Sequence, residues 1–493
     1  MLDVISRETM RLSDRYTIDS LKVSGGELMM RAALGIKEEI DVCESVAIIC
    51  GGGNNGGDGL CLAYLLISEG KFPDVYIFGK RFDNEAKLYY DKISEYSNLY
   101  IIDGSEDYSK YDVVVDAIFG TGLARNVTGI YLDTITALNA TAKNVISVDI
   151  PSGLDGNCGK VMGAAVKADK TVSINTIKSG LLLGSGKDHS GRVVNKDIGI
   201  EIVGEKYRLI GDDDVAFPRR LNNSHKNTYG NVSIIAGSAK YMGAAKLAYT
   251  GSVSLMAGAG LVRLATPSEY SALLVPHVVE ETLYPLPSKD GMIAFDKEAL
   301  TPLLASSAIA FGMGVGDGEE IFDILEFIVE SYGGRLLIDA DGLNALSKDT
   351  DVLLRKKCDI VLTPHVKEMS RLIGKEVGDI MSDPIGVAKE FAAKYSVTVL
   401  LKGASSVITD GREVYISATG APSMAKGGSG DVLSGVIAGI LAGKLFDVTK
   451  SAYLGAYIAG KAGEEAMLTF GEYGALARDT ARSVSFVMKR YVR

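Results

Sequence analysis

The sequence predicts an α/β protein in two parts: a doubly wound, three-layer domain followed by a second α/β domain. Three observations carry this. A chain of 493 residues exceeds one ordinary domain. Short apolar runs alternate with longer amphipathic stretches, the pattern of strands and crossover helices in a parallel sheet. The runs end in loops rich in Gly, Pro, Asn or Asp, where such sheets build their sites.

In the first half the expected strands are Val46–Cys50, Val75–Phe78, Val113–Ala117 and Val145–Asp149, with Lys170–Ile174 closing the domain. The Gly199–Asp214 stretch, with its Gly211-Asp212-Asp213-Asp214 run, reads as the boundary and places the domains at 1–211 and 212–493. The second half restarts with a strand at Val232–Ala236. A small-residue helix is expected from Gly243 to Gly260. The strands Leu261–Ala265, Ala308–Phe311, Arg335–Ile338, Ile360–Leu362, Val397–Lys402 and Val414–Ile416 follow, and the turn Gly427–Gly430 opens a helix Asp431–Ala442.

Composition narrows the function. Hydrophobic residues make up 47% and charged residues 23%, enough for two cores. A formal charge of -10 argues against nucleic-acid or anionic-membrane partners. The five cysteines (Cys43, Cys50, Cys61, Cys158, Cys358) contain no C-x-x-C pair, which fits reduced thiols. Four scattered histidines make a zinc site unexpected. No apolar run approaches the ~18 residues of a membrane span, and no signal-peptide core is present. A soluble, cytoplasmic protein is expected.

The first chemistry-bearing string is Gly51-Gly52-Gly53-Asn54-Asn55-Gly56-Gly57-Asp58-Gly59, between a strand and a helix. Gly51, Gly53 and Gly56 satisfy G-x-G-x-x-G, whose backbone N–H groups can face a pyrophosphate. A dehydrogenase would carry an acidic residue for the ribose after the next strand; this chain has Gly79-Lys80-Arg81. Two further strings, Asp116 to Leu123 and Val148 to Asp155, put carboxylates at strand ends. Asn55, Asp116 and Ser152 are all oxygen donors, suited to a hard monovalent or divalent cation, or else to capping turns.

In the second half, Gly312 to Gly316, Asp339 to Asn344 and Leu362 to His365 each end a strand, and singly each reads as a structural turn. Lys402-Gly403-Ala404-Ser405-Ser406 offers a basic side chain, bare backbone and hydroxyls for phosphate oxygens. Gly427-Gly428-Ser429-Gly430-Asp431 opens a helix whose N–H groups can hold a phosphate while Asp431 takes a proton from a hydroxyl.

These strings resemble a known family. The first ~210 residues resemble the epimerase of the NAD(P)H-hydrate repair system, with Gly52 where that family usually has Pro. Residues 227–493 resemble its ribokinase-like dehydratase, through Gly243-Ala244-Ala245, Leu337 to Asn344, Leu362 to His365 and Gly428 to Gly435. Met313, Val366-Lys367 and Lys426 depart from the usual Pro, Pro-Gly and Thr.

The resemblance implies a Rossmann-like first domain and a ribokinase-like second one. Asn54, Asn55, Gly56, Gly57 and Asp58, with Gly120, Thr121, Gly122, Leu123, Ala124, Arg125 and Asn126, would bind the hydrate for epimerisation. Asp149 would act as acid/base on the ring. Asn55, Asp116 and Ser152 would hold K+. In the second domain Ala244, Gly314, His365, Val366, Lys367, Glu368, Met369, Ser370, Arg371 and Asp431 would bind the hydrate. Lys402, Gly403, Ala404, Ser405 and Ser406, with Ala421, Pro422, Ser423, Met424, Ala425, Lys426, Gly427, Gly428, Ser429 and Gly430, would bind ADP or ATP with Mg2+. Asp431 would be the catalytic base. The substrates would be NADHX and NADPHX, and the assembly a homo-oligomer. A sugar or vitamin kinase in the second half, and a non-catalytic binding module in the first, are the alternatives.

Overall fold

A computed structural model describes residues 1–40, 45–241, 243–244 and 249–493. Cys43, Ala245 and part of the expected Gly243–Gly260 helix lie outside the described residues. The chain forms two compact units, Asp3–Tyr207 and Arg208–Arg493, the latter joined by residues 1–2.

The first unit is built on a parallel sheet in the order Asn98–Ile101, Asp74–Ile77, Val46–Cys50, Val113–Ala117, Val145–Val148, Lys170–Ile174 and Arg192–Lys196. The central strands are apolar on both faces because both faces are covered: Ile48 and Val115 pack in one core, Ala47, Ile49 and Val114 in another. The helix Asn54–Ser68 covers the first of these, burying Leu60, Cys61, Leu62 and Ala63. The expected strand Val145–Asp149 stops at Val148, because Asp149 turns to a φ of 65 that no strand accommodates.

The second unit orders its strands Thr282–Leu286, Leu261–Pro267, Asn231–Ile235, Ala308–Phe311, Arg335–Ile338, Asp359–Leu362 and Thr398–Leu401 in parallel, and adds Ser406–Thr409 and Val414–Ser417 antiparallel. The helix Ser429–Gly443 is a core element, with Val432 and Ser434–Ala442 all buried. It starts two residues before the expected Asp431, because Gly428 at a φ of 95 makes the turn and Ser429 enters helical geometry. Asp431 therefore sits in the first turn. The helix Tyr249–Met256 stops short of the expected Gly260, with Gly258 at a φ of 125. Among the described residues no helix is long and apolar enough to cross a membrane.

Candidate active sites

The first site lies where the strand order reverses. Val46–Cys50 pairs with Asp74–Ile77 on one side and Val113–Ala117 on the other, so the loops beyond them diverge and open a crevice. A Cβ at position 56 would lie 1.9 Å from the Gly51 carbonyl oxygen, so only glycine lets the loop fold onto the helix start. A cavity of about 950 Å³ fills the crevice. Its wall brings together Asn54, Asn55, Asp58, Asp149 and the run Gly120 to Arg125. Gly56, Gly57 and Asn126 are not on that wall: the glycines are buried in the helix, and Asn126 is exposed. Arg11 and Asp14 of the helix Arg7–Asp19, with Asp83, Glu85 and Lys178, line it unforeseen.

Lys178 is the largest addition. It has no exposed surface, sits at Ile177–Lys178 paired with Val4–Ile5, and forms an ion pair with Asp149. The Ile174 N–H donates to the same Asp149 oxygen at 3.1 Å. The left-handed backbone of Asp149 is strain of the kind that gathers at working sites. Facing it, Asp58 is pushed well above the usual carboxylate range by burial and by the charges of Asp149 and Asp14, against Lys178. Nothing in the local sequence Asn175 to Gly180 marks it.

Behind the cavity wall, Asp116 is fully buried. It accepts from Ser152 Oγ at 2.5 Å, Ser147 Oγ at 2.8 Å, Ser152 N at 2.9 Å and Ile118 N at 3.3 Å. Burial outweighs these donors and pushes the carboxyl up. Among the described residues all its hydrogen-bond partners are neutral. Asn55 Nδ2 is buried without a partner. The oxygens of Asn55, Asp116 and Ser152 are those that would hold a hard cation here.

The second site is assembled from four strand ends and one helix start. Gly312, at a φ of 117, lies so close to Asp339 that a Cβ would meet its carbonyl oxygen at 2.2 Å. Ala244 and Gly314 are neighbours, since a Cβ on Gly314 would come within 2.6 Å of Ala244 Cβ. Asp339 accepts from Lys402 Nζ at 2.8 Å and from Ser434 Oγ at 2.7 Å. Glu368 lies 3.7 Å from the same ammonium. Burial would raise Asp339, but Lys402 and Ser434 hold it below the usual range. For Glu368 burial wins, and its carboxyl is raised. Lys402 is thus engaged by two carboxylates, and its Nζ lies 3.8 Å from where a Gly430 Cβ would stand. Asp431, on the same helix start, is pushed to about 7 by burial and by Asp339 and Asp341, against Lys402.

The other expected residues have partners within the second unit. His365 Nδ1 accepts from the N–H groups of Lys367 and Glu368, capping the helix Val366–Ile373, which puts the ring proton on Nε2. Burial, with Lys402 nearby, lowers its pKa. Met369 is fully buried. Arg371 donates to Asn344 Oδ1 at 2.8 Å. Lys426 donates to the carbonyls of Tyr473 and Ala475 at 2.7 and 2.6 Å.

A glycine-loop crevice with paired carboxyl groups in one unit, and a helix start carrying a raised aspartate near a lysine in the other, are what an enzyme with two active sites presents. Residues 232–484 match a family model described as NAD(P)H-hydrate dehydratase, and residues 25–180 one described as YjeF-related protein N-terminus. A bifunctional NAD(P)H-hydrate repair enzyme of Thermofilum pendens is 36% identical over 483 residues, covering 94% of this chain and 90% of its own. One from Moorella thermoacetica is 34% identical, covering 97% and 94%. Among solved structures, an ADP/ATP-dependent NAD(P)H-hydrate dehydratase from Bacillus subtilis, co-crystallised with ATP and Mg2+, aligns with a TM-score of 0.51 at 29% identity over 58% of this chain and 99% of that one. The chain belongs to the bifunctional NAD(P)H-hydrate repair enzymes, with a Rossmann-like unit followed by a ribokinase-like one.

Proposed function

We propose that residues 1–211 interconvert the R and S hydrates of NADH and NADPH, and that residues 212–493 dehydrate the S form with ADP or ATP, giving AMP or ADP and phosphate. The observation that carries this is the surroundings of Asp431: a carboxyl pushed to about 7 by burial in the first turn of the helix Ser429–Gly443, near the half-buried Lys402 that pairs with Asp339. Hydroxide is a poor leaving group and phosphate a good one. Asp431 takes the proton of the substrate hydroxyl as it attacks the terminal phosphoryl group, and a base near 7 is matched to that task. The N–H groups at Gly428–Gly430 hold the phosphoryl oxygens, with Lys402 beneath them. The ring nitrogen then expels phosphate. Mg2+ would enter on the nucleotide's own phosphate oxygens and neutralise charge there.

In the first unit Asn55, Asp116 and Ser152 would hold K+, which fixes the loop that carries Asn54 and Asp58. Asp149 acts as acid/base on the ring. The bundle of activities fits a cytoplasmic homo-oligomer that meets its substrates wherever the dinucleotides circulate. Incubating the protein with mixed hydrate epimers, Mg2+ and ADP or ATP tests the reading through the returning absorbance of the dihydronicotinamide ring. Accumulation of a phosphorylated substrate without that absorbance would favour a kinase.

A further inference from the structure

Four ionisable groups from four separate elements meet on the wall of the first cavity: Asp14 from the helix Arg7–Asp19, Asp58 from the helix Asn54–Ser68, Asp149 beyond the strand Val145–Val148, and Lys178 from Ile177–Lys178. Their pairing is unequal. Lys178, without exposed surface, gives its charge to Asp149, which also accepts the Ile174 N–H. Among the described residues no side chain or backbone N–H donates to the Asp58 carboxyl. Of these three carboxyl groups, Asp149 is paired with the cation, while Asp58 faces the charges of Asp149 and Asp14 with Lys178 opposing them.

We infer that Asp58 is the proton donor and Asp149 the proton acceptor of epimer exchange, and that exchange runs by opening and re-closing the hydrated ring with its hydroxyl oxygen retained. This rests on the epimerase reading of the first unit. A buried carboxyl without donors keeps its proton and can serve as the acid, and one held beside an ammonium can serve as the base. Burial and the charges of Asp149 and Asp14 keep Asp58 protonated well above the range of an ordinary carboxyl, with Lys178 as the opposing charge. Arg11, Asp83, Glu85 and Arg125 complete the charged lining of the cavity.

The hydrate carries its hydroxyl on the carbon bonded to the ring nitrogen. Asp149 removes the hydroxyl proton, the oxygen forms a carbonyl, and the carbon–nitrogen bond breaks with its electron pair moving to nitrogen. That nitrogen is conjugated to the ring carboxamide, and Asp58 delivers the proton it needs. Rotation about the neighbouring carbon–carbon bond presents the other carbonyl face. The nitrogen adds back, its proton returns to Asp58, and the oxygen recovers a proton from Asp149. No atom is gained or lost, and both carboxyl groups end as they began. The competing route, loss of hydroxide to an iminium ion, would yield the dihydronicotinamide by loss of one neighbouring proton. The first unit would then dehydrate its substrate with no nucleotide, and the second unit would be superfluous.

The test uses the full chain, purified R and S hydrates, no nucleotide, and water enriched in oxygen-18. Epimer exchange is read by chromatography and the hydroxyl oxygen by mass spectrometry. The wild-type protein should exchange epimers at least ~10-fold faster than it incorporates label; one label per exchange would establish the iminium route and overturn ring opening. Asp58→Asn should lose ~10²–10⁴-fold in kcat while KM stays within ~3-fold, as expected for a lost general acid. It should also lose the high-pH limb of the rate profile. Asp58→Glu, which restores an acid, should recover part of the rate; wild-type exchange by Asp58→Asn would overturn the assignment. A wild-type protein that exchanges nothing would instead overturn the epimerase reading itself.

Discussion

Replacing Asp431 with Asn should stabilise the protein while it stops dehydration. The carboxyl moves from its ordinary 3.8 to about 7 on folding. A pKa unit is worth ~1.4 kcal/mol, so the ceiling is ~4 kcal/mol. Asp431 keeps part of its surface open to solvent, which lowers the expected gain to about 2 kcal/mol. The sign follows from proton counts. Between about 4 and 7 the folded state binds a proton that the unfolded chain has released, so the parent loses stability as pH rises through that window. Asn has no such term. Thermal unfolding of the two proteins without nucleotide should coincide near pH 4 and differ by ~4–8 °C near pH 8, in favour of the variant. Dehydration should fall ~10²–10⁴-fold. A variant that melts below the parent near pH 8, or a gap that does not change with pH, would refute the raised carboxyl.

Other expectations follow from the same geometry. In the parent, the dehydration rate should rise as pH passes through about 7, as Asp431 becomes an ionised base, and a pH–rate profile would show it. Asp116→Ala should weaken binding of K+ and of the hydrate together; a titration in which hydrate affinity is unchanged and K+-independent would remove the cation. Gly430→Val should abolish nucleotide binding, because the added carbons enter the space over Lys402 Nζ; unchanged affinity by calorimetry would take phosphate out of that space. Gly312→Ala should cost the second unit ~2 kcal/mol or more, since its Cβ would stand 2.2 Å from the Asp339 carbonyl oxygen at a φ of 117; denaturation at parental stability would show that the turn relaxes freely.

What the sequence made legible was local. Asn54 to Asp58, Asp149 and Gly428 to Asp431 announce themselves because a glycine turn and a strand-end carboxylate are adjacent in the chain, and doubly wound sheets gather such ends at one edge. Pairing across the fold was not legible. Asp339 alone reads as a turn residue; only the packed sheet shows that it holds Lys402 and receives Ser434. Lys178 and Asp14 reach the first cavity from elements that carry no glycine loop, so no local motif marks them. The partners of Lys426 were not legible either. Lys426 sits next to the glycine turn Gly427–Gly430, and its long side chain finds the open carbonyls of Tyr473 and Ala475 where Gly471 interrupts the helix Val448–Gly474.

The claim of two independent sites in one chain is tested most directly by partitioning the reactions between two variants. Asp431→Asn and Asp149→Asn are each given separate R and S hydrates with Mg2+ and nucleotide, and both epimer exchange and dehydration are followed. Asp431→Asn should exchange epimers at the parental rate and dehydrate neither. Asp149→Asn should dehydrate the S hydrate at the parental rate and consume the R hydrate only as fast as it epimerises spontaneously. Loss of both reactions in either folded variant, or parental dehydration by Asp431→Asn, would contradict the account.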